Sequence, residues 1–219
     1  MALTSRLLTP VGVVLAGGAG RRIGGAKARV ELLGAPLITY PLAALRAALG
    51  EVVVLAKPSS VLPVLPGTEV WLEPEEPRHP LAGLVWALER AQGRPVLVCA
   101  ADLPLVQRDL VARLARWGSS PPIDDRSTPL ACIASDGEGP QPLLGRYEPA
   151  ALNVLRTALA EDPMPRMRSL AQRLCATVLP AHAEQELLNV NRPEDLRRAA
   201  AALRRRSAAP APTQPNVKS

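Results

Sequence analysis

The strongest constraint on the fold is an alternation, along the first half of the chain, of short apolar segments with segments of helical spacing. The apolar segments predict strands at residues 11–16, 51–56, 69–72 and 95–100, and the others predict helices at 36–49, 81–92 and 105–117. Residues 95–100 are apolar throughout, which is typical of a strand covered on both faces of a parallel sheet. The sequence therefore predicts an α/β fold with a doubly wound, mainly parallel sheet.

The second half of the chain predicts an antiparallel addition to that sheet. Residues 130–135 and 141–147 flank a glycine-containing turn and are typical of a hairpin. Further predicted elements are helices at 149–160 and 166–174, an apolar run at 177–179 and a last helix at 193–206. We expect one domain over residues 1–207 and a disordered, Pro/Ala-rich tail over residues 208–219.

The net charge of +6 is confined to the C-terminal end of the chain. Residues 1–196 carry 20 cationic and 20 acidic side chains, and residues 197–219 carry six cations and no acid. No aromatic side chain accompanies these cations, which argues against nucleic-acid binding. No apolar run reaches the roughly 18 residues that a membrane-spanning helix needs, and the N-terminal segment is unlike a signal peptide.

The cysteines and histidines exclude several classes of site. Cys99, Cys132 and Cys175 lie far apart, without a Cys-x-x-Cys or Cys/His cluster, which argues against a disulfide framework or a zinc site. His79 and His182 stand outside any triad-like setting. We therefore expect a protein of a reducing cytoplasm.

A glycine-rich segment follows the first predicted strand. Residues 17–27 contain five glycines together with Arg21, Arg22 and Lys27. Glycine permits tight turns with exposed N–H groups, and such groups with cations beside them bind phosphates. Lys27 is followed by Ala28 rather than by Ser or Thr, and Ile23 takes the third glycine position of a dinucleotide fingerprint. The segment thus predicts a polyphosphate site of another kind.

Asp102 follows the strand predicted at 95–100, so it should lie at the same sheet edge as the glycine-rich segment. A carboxylate at that edge suits Mg²⁺. An aspartate after a strand is also a common N-cap of the next helix. The neighbouring polyphosphate site favours the role in metal binding.

Four segments, in order, resemble the signature of the MobA-like nucleotidyltransferases. They are Leu15-Ala16-Gly17-Gly18 with Arg22-Ile23-Gly24 and Lys27, then Pro80-Leu81-Ala82-Gly83, Ala101-Asp102-Leu103-Pro104, and Asn189-Val190-Asn191-Arg192-Pro193-Glu194-Asp195-Leu196. The resemblance covers about residues 10–200. Within the family, Leu-Ala-Gly-Gly and Pro-Leu-Ala-Gly are most similar to the guanylyltransferases of the molybdenum cofactor.

The resemblance implies transfer of GMP from GTP to the phosphate of molybdenum-bound molybdopterin, with Mg²⁺ as cofactor and pyrophosphate as product. It implies these roles: Leu15, Ala16, Gly17, Gly18 and Glu73 contact the nucleotide, Lys27 the triphosphate, Asp102 both GTP and Mg²⁺, and Asn189 and Asn191 the acceptor. Arg22, Lys27 and Asp102 form the predicted catalytic set. Molybdoenzymes, or other proteins of cofactor biosynthesis, are the implied protein partners.

The sequence leaves two points open. Glu75 and Glu76 are alternatives to Glu73 as the acid that contacts the base. A related nucleotidyltransferase that uses CTP or another phosphorylated acceptor is the first alternative function. A nucleotide-binding module without catalysis is the second.

Overall fold

The computed structural model describes residues 9–17, 27–118, 128–136, 138–162, 166–183 and 185–208. The strands are β1 (Val11–Leu15), β2 (Glu31–Leu32), β3 (Ala35–Pro36), β4 (Val52–Ala56), β5 (Glu69–Leu72), β6 (Val96–Ala100), β7 (Ala131–Ser135), β8 (Pro140–Tyr147) and β9 (Thr177–Pro180). The helices are α1 (Thr39–Arg46), α2 (Pro80–Arg90), α3 (Arg108–Arg116), α4 (Ala151–Glu161), α5 (Leu170–Arg173) and α6 (Pro193–Ala208), with 3₁₀ turns at Lys27–Arg29 and Met167–Ser169.

Seven strands form the main sheet in the order β5-β4-β1-β6-β8-β7-β9. Strands β5, β4, β1 and β6 are parallel to one another, and β8 is antiparallel to both β6 and β7. Strand β9 returns parallel to β7. The predicted doubly wound, mainly parallel sheet with an antiparallel hairpin is therefore confirmed.

The apolar side chains of the central strands alternate between two core clusters, one on each face of the sheet. Val14 points into the cluster that contains residues of α1 and α3, and Val13 points into the cluster that contains residues of α2 and α4. A third, smaller cluster joins the β2–β3 hairpin to α6 through Leu32, Leu105 and Ala199. Because both faces of the sheet are covered, its functional groups emerge at the strand ends.

Four predicted helices begin two to four residues later than the sequence indicates, namely α1, α3, α4 and α5. Helix α1 starts at Thr39, because residues 35–36 pair with β2 in a hairpin that the sequence analysis did not predict. Helix α3 starts at Arg108, because Gln107 before it has an extended backbone, with φ at −108° and ψ at 153°. The last helix extends to Ala208, and the rest of the predicted tail lies outside the described residues.

Among the helices of the described segments, none combines the length and the apolar character that crossing a bilayer requires.

Candidate active site

Four parallel strands each deliver a polar or close-approach residue to one edge of the sheet. Gly17 follows β1, Lys57 follows β4, Glu73 follows β5 and Asp102 follows β6. Since the carboxyl ends of parallel strands meet at one edge, these residues surround a single cavity of about 400 Å³. The start of α2 closes another side of the cavity.

Glu73 and Lys57 form a buried pair in the wall of this cavity. Their side chains are 7% and 5% exposed, and Lys57 Nζ lies 3.7 Å from Glu73 Oε1. Lys57 Nζ also donates hydrogen bonds to the carbonyl oxygens of Pro74 at 2.7 Å and Pro77 at 3.4 Å. The backbone N–H of Glu73 donates to Ala56 O at 2.9 Å, which fixes the residue beside β4. The ammonium group is therefore held against the carboxylate by the chain that follows β5.

Burial raises the pKa of the Glu73 carboxyl above its ordinary value, and the nearby Lys57 ammonium partly offsets that increase. A carboxylate in this environment has lost water. It gains most from a ligand that supplies hydrogen-bond donors in place of that water.

Two glycines make room for the Glu73 carboxylate. A Cβ at Gly17 would lie 2.7 Å from Glu73 Oε1, and a Cβ at Gly83 would lie 3.3 Å from Oε2. The glycine in the Pro80-Leu81-Ala82-Gly83 segment and the first glycine of the Leu15-Ala16-Gly17-Gly18 segment thus serve the same carboxylate. Two distant sequence segments are explained by one packing requirement.

Glu73 is also separated from its two sequence alternatives by its place in the fold. Glu75 is 37% exposed and pairs with Arg78, and Glu76 is 72% exposed and pairs with the same arginine. Of the three acids, Glu73 lines the cavity.

Helix α2 begins at the cavity. His79 is its N-cap: the imidazole Nδ1 accepts a hydrogen bond from the backbone N–H of Leu81 at 3.2 Å, and Pro80 takes the first helical position. Arg78, His79 and Pro80 all contribute to the cavity wall. This wall therefore includes a cation and the N-terminal end of a helix, both of which favour an anionic ligand.

Asp102 lies in the loop directly after β6 and lines the same cavity, three strands along the sheet from Glu73. Its side-chain Oδ1 is shielded from solvent. The N-cap of α3 is Gln107, so the N-cap interpretation of Asp102 is wrong. The backbone N–H of Ala101 donates to Leu15 O at 3.1 Å, which connects the Asp102 loop to the end of β1.

The donor set fits a divalent cation that arrives with phosphates. The described segments contain no group of three or more His, Cys, Asp or Glu side chains able to hold a metal ion. Mg²⁺ commonly takes one or two protein carboxylates and completes its shell with water and substrate phosphates. Asp102 could supply one such carboxylate, since it lines the cavity of about 400 Å³.

The cavity brings together five of the predicted site residues, namely Leu15, Ala16, Gly17, Glu73 and Asp102. Gly18 and Arg22 lie outside the described residues, and so does the side chain of Lys27, whose backbone opens the 3₁₀ turn next to the cavity residue Ala28.

Asn189 and Asn191 flank Val190, whose backbone N–H donates to Asp102 O at 2.9 Å. Neither asparagine belongs to the described cavity lining. Their predicted segment is adjacent to the Asp102 loop, and their role at the acceptor stays a prediction.

Lys57 and Arg78 also line the cavity, and neither was predicted from the sequence. Lys57 directly follows a strand that is parallel to β1. Its position at a strand end was the signal that could have found it.

The comparisons with known proteins agree with this geometry. The family described as the MobA-like NTP transferase domain matches residues 12–178. The chain is 33% identical over 193 residues to a Bacillus licheniformis protein named as a probable molybdenum cofactor guanylyltransferase, a match that covers 84% of this chain and 93% of that protein.

Solved structures show the same fold. The Archaeoglobus fulgidus molybdopterin-guanine dinucleotide biosynthesis protein A superposes with a TM-score of 0.71 at 24% identity, over 89% of this chain and 98% of that one. A Mycobacterium tuberculosis protein crystallised as a complex with manganese gives a TM-score of 0.61 at 16% identity, over 89% and 99% of the two chains. With a family match across most of its length and a relative above 30% identity, the chain belongs to the MobA-like NTP transferase family of nucleotidyltransferases.

Proposed function

We propose that this protein transfers GMP from GTP to the terminal phosphate of molybdenum-bound molybdopterin, releasing pyrophosphate. The observation that carries the choice of guanine is the buried Glu73–Lys57 pair in the cavity wall. Guanine presents two adjacent N–H donors, from N1 and N2, beside the acceptor O6. A carboxylate next to an ammonium is the complement of that edge.

The spacing of the strands supports the same arrangement. Glu73 follows β5 and Asp102 follows β6, and these strands are three steps apart in the sheet. Three interstrand spacings of about 4.8 Å separate the two carboxylates by about 14 Å along the edge. A nucleoside with its base at Glu73 can therefore extend its phosphates toward Asp102.

In this proposal the protein binds and orients the nucleotide and the acceptor, and it neutralises the charge of the phosphates. The backbone at Gly17 approaches the nucleotide closely, and Arg22 and Lys27 are the cations expected at the triphosphate. Asp102 would hold Mg²⁺, which supplies Lewis-acid polarisation of the phosphate oxygens when bound. The acceptor is already a phosphate anion, so the reaction needs no general base and no protein nucleophile. Asn189 and Asn191 would contact the acceptor.

The base preference is tested by calorimetry of GTP and CTP binding in the presence of Mg²⁺. We expect tighter binding of GTP, and we expect Glu73→Gln to weaken it by about tenfold or more, since a hydrogen bond to a charged group contributes about 1.5–3 kcal/mol. The matched control is Glu76→Gln, which alters an acid of the same segment that is 72% exposed. Its GTP affinity should stay within about twofold of the wild type.

Pyrophosphate release from GTP in the presence of molybdenum-loaded molybdopterin tests the reaction itself. We expect release in the wild type and none in Asp102→Asn, whose fold should be intact by circular dichroism. A preference for CTP would reject the guanine assignment. Tight GTP binding without pyrophosphate release would instead indicate a nucleotide-binding module.

A further inference from the structure

The loop that carries Asp102 is attached to the C-terminal part of the chain at three points. We call residues 101–107 the Asp102 loop, and Glu186, Val190 and Arg206 the C-terminal anchor. The backbone N–H of Val190 donates to Asp102 O at 2.9 Å. The guanidinium Nη1 of Arg206 donates to Leu105 O at 2.6 Å, and Glu186 Oε1 accepts from the backbone N–H of Gln107 at 3.0 Å.

The anchor residues are themselves fixed. Glu186 is only 4% exposed, and its Oε2 accepts from the backbone N–H of Ala183 at 3.4 Å. Val190 is fully buried, in the same apolar cluster as Leu105 and Ala199 of α6. Burial lowers the pKa of the Arg206 guanidinium, and the nearby carboxylate of Glu186 partly offsets that decrease. The two charged anchor residues therefore act on each other as well as on the loop.

The three hydrogen bonds are spread over most of the loop, at its second, fifth and last residues. The turn hydrogen bonds from Leu103 N–H to Ala100 O and from Val106 N–H to Leu103 O are long, with N···O distances of 3.3 and 3.5 Å. The loop's own hydrogen bonds are thus weak by geometry. Its position therefore depends on the buried side chains of Leu103 and Leu105, on the 3.1 Å bond from Ala101 N–H to Leu15 O, and on the three shorter bonds from the C-terminal anchor.

We infer that Glu186 and Arg206 are positioning residues that set the place of the Asp102 carboxylate for metal and triphosphate. The inference rests on the proposed function, because it assumes that Asp102 holds the metal. Residues that orient a metal ligand commonly contribute about 10–100-fold in metal affinity. Here the orientation acts through the backbone of the loop rather than through the carboxylate oxygens.

The test is the Mn²⁺ dissociation constant of the GTP-bound protein, measured by electron paramagnetic resonance titration. Arg206→Met keeps an apolar stem of similar length and removes the donors, and we expect it to weaken Mn²⁺ binding about tenfold. The matched control is Arg205→Met, since Arg205 is the exposed neighbour on the same helix. That control should stay within about twofold of the wild type.

A second pair of variants keeps the test decisive if Arg206→Met fails to fold. Glu186→Ala removes the acceptor for the Gln107 N–H, and we expect about tenfold weaker Mn²⁺ binding. Glu186→Gln retains an acceptor oxygen and should recover most of the affinity. GTP binding without metal, measured by calorimetry, should be unchanged in all these variants, which a general loss of structure would not allow.

The Asp102→Asn variant distinguishes failure of the positioning role from failure of the metal assignment. If it loses Mn²⁺ affinity while Arg206→Met and Glu186→Ala keep it, the positioning role is rejected and the metal assignment stands. If Asp102→Asn itself binds Mn²⁺ normally, both the metal assignment and the positioning role are rejected.

Discussion

In the proposed function, Glu73 couples the packing of the protein to recognition of the base. Its carboxylate lies between the backbone of Gly17 and that of Gly83, with Lys57 as its cationic neighbour. An acid in such a place costs free energy when no ligand is bound, because burial removes water from the charged form. The same loss of water makes the carboxylate a strong acceptor for a ligand that donates two hydrogen bonds.

This environment predicts a definite pH dependence of stability. The folded-state pKa of Glu73 is raised, so its carboxyl favours the fold at pH values below its unfolded pKa, and that contribution is lost as the pH rises through the folded pKa. Glu73→Gln removes this dependence. Urea unfolding at pH 4 and pH 8 should therefore show the wild type losing stability relative to Glu73→Gln as the pH increases. A difference in unfolding free energy between the two proteins that does not change with pH would contradict a raised pKa for Glu73.

The sequence predicted some site residues and missed others for physical reasons. Gly17 and Asp102 follow fully apolar segments, so their places at strand ends could be read directly. Glu73 was one of three neighbouring acids, and the burial of its side chain and its place in the cavity lining distinguish it. Lys57 was missed because its role depends on the order of strands in the sheet and on the carbonyl groups of Pro74 and Pro77.

At the scale of elements, the central strands were predicted well because both faces of the sheet are covered and the segments are apolar throughout. The β2–β3 hairpin was missed because its turn has an unusual residue. Leu33 and Gly34 both have positive φ, at 51° and 82°. Two-residue turns of this kind normally carry Asn, Asp or Gly at the first of these positions, so Leu33 gave no turn signal.

Leu33 therefore offers a route to a more stable protein. It is 45% exposed, and a left-handed backbone costs a residue with a Cβ about 1–2 kcal/mol relative to glycine, with asparagine tolerating it better. We expect Leu33→Asn to raise the free energy of unfolding by about 0.5–1 kcal/mol. Urea denaturation measures this change, and Gly34→Ala, with φ at 82°, should change stability in the opposite direction. A loss of stability in Leu33→Asn would show that the leucine side chain contributes packing that outweighs the backbone cost.

Across the whole molecule, the excess positive charge is concentrated at the C-terminal end of the chain. Residues 1–196 are electrically balanced, whereas residues 197–219, which include most of α6, carry the six excess cations. Asp195 starts this helix by accepting hydrogen bonds from the backbone N–H groups of Asn191 and Arg192 at 3.0 and 2.9 Å. The sequence predicted the helix, but not its contact with the Asp102 loop. That contact joins residues about a hundred positions apart, which no local pattern records.

Two truncated chains test whether Arg206 of α6, and not the tail after it, supports the Asp102 loop. A chain that ends at Ala208 keeps α6 and Arg206, and we expect GTP and Mn²⁺ affinities within about twofold of the full protein. A chain that ends at Leu203 lacks Arg206, and it should bind Mn²⁺ as weakly as Arg206→Met. Calorimetry measures the GTP affinity, and electron paramagnetic resonance titration measures the Mn²⁺ affinity. Weakened GTP binding in the chain that ends at Ala208 would assign a role to the tail.

The hydrogen bond from Arg206 to Leu105 also sets a time order for the nascent chain. The two residues are 101 positions apart, so a ribosome that adds roughly 5–20 residues per second makes the second about 5–20 s after the first. Strands β1, β4, β5 and β6 all precede Leu105, so they are translated before that interval begins. Their parallel half of the sheet can emerge and pair while the Asp102 loop still lacks its partners. Under the proposed function, an unfinished chain would then hold the base pocket before it could hold the metal, and competence for the reaction would come with the last turns of α6.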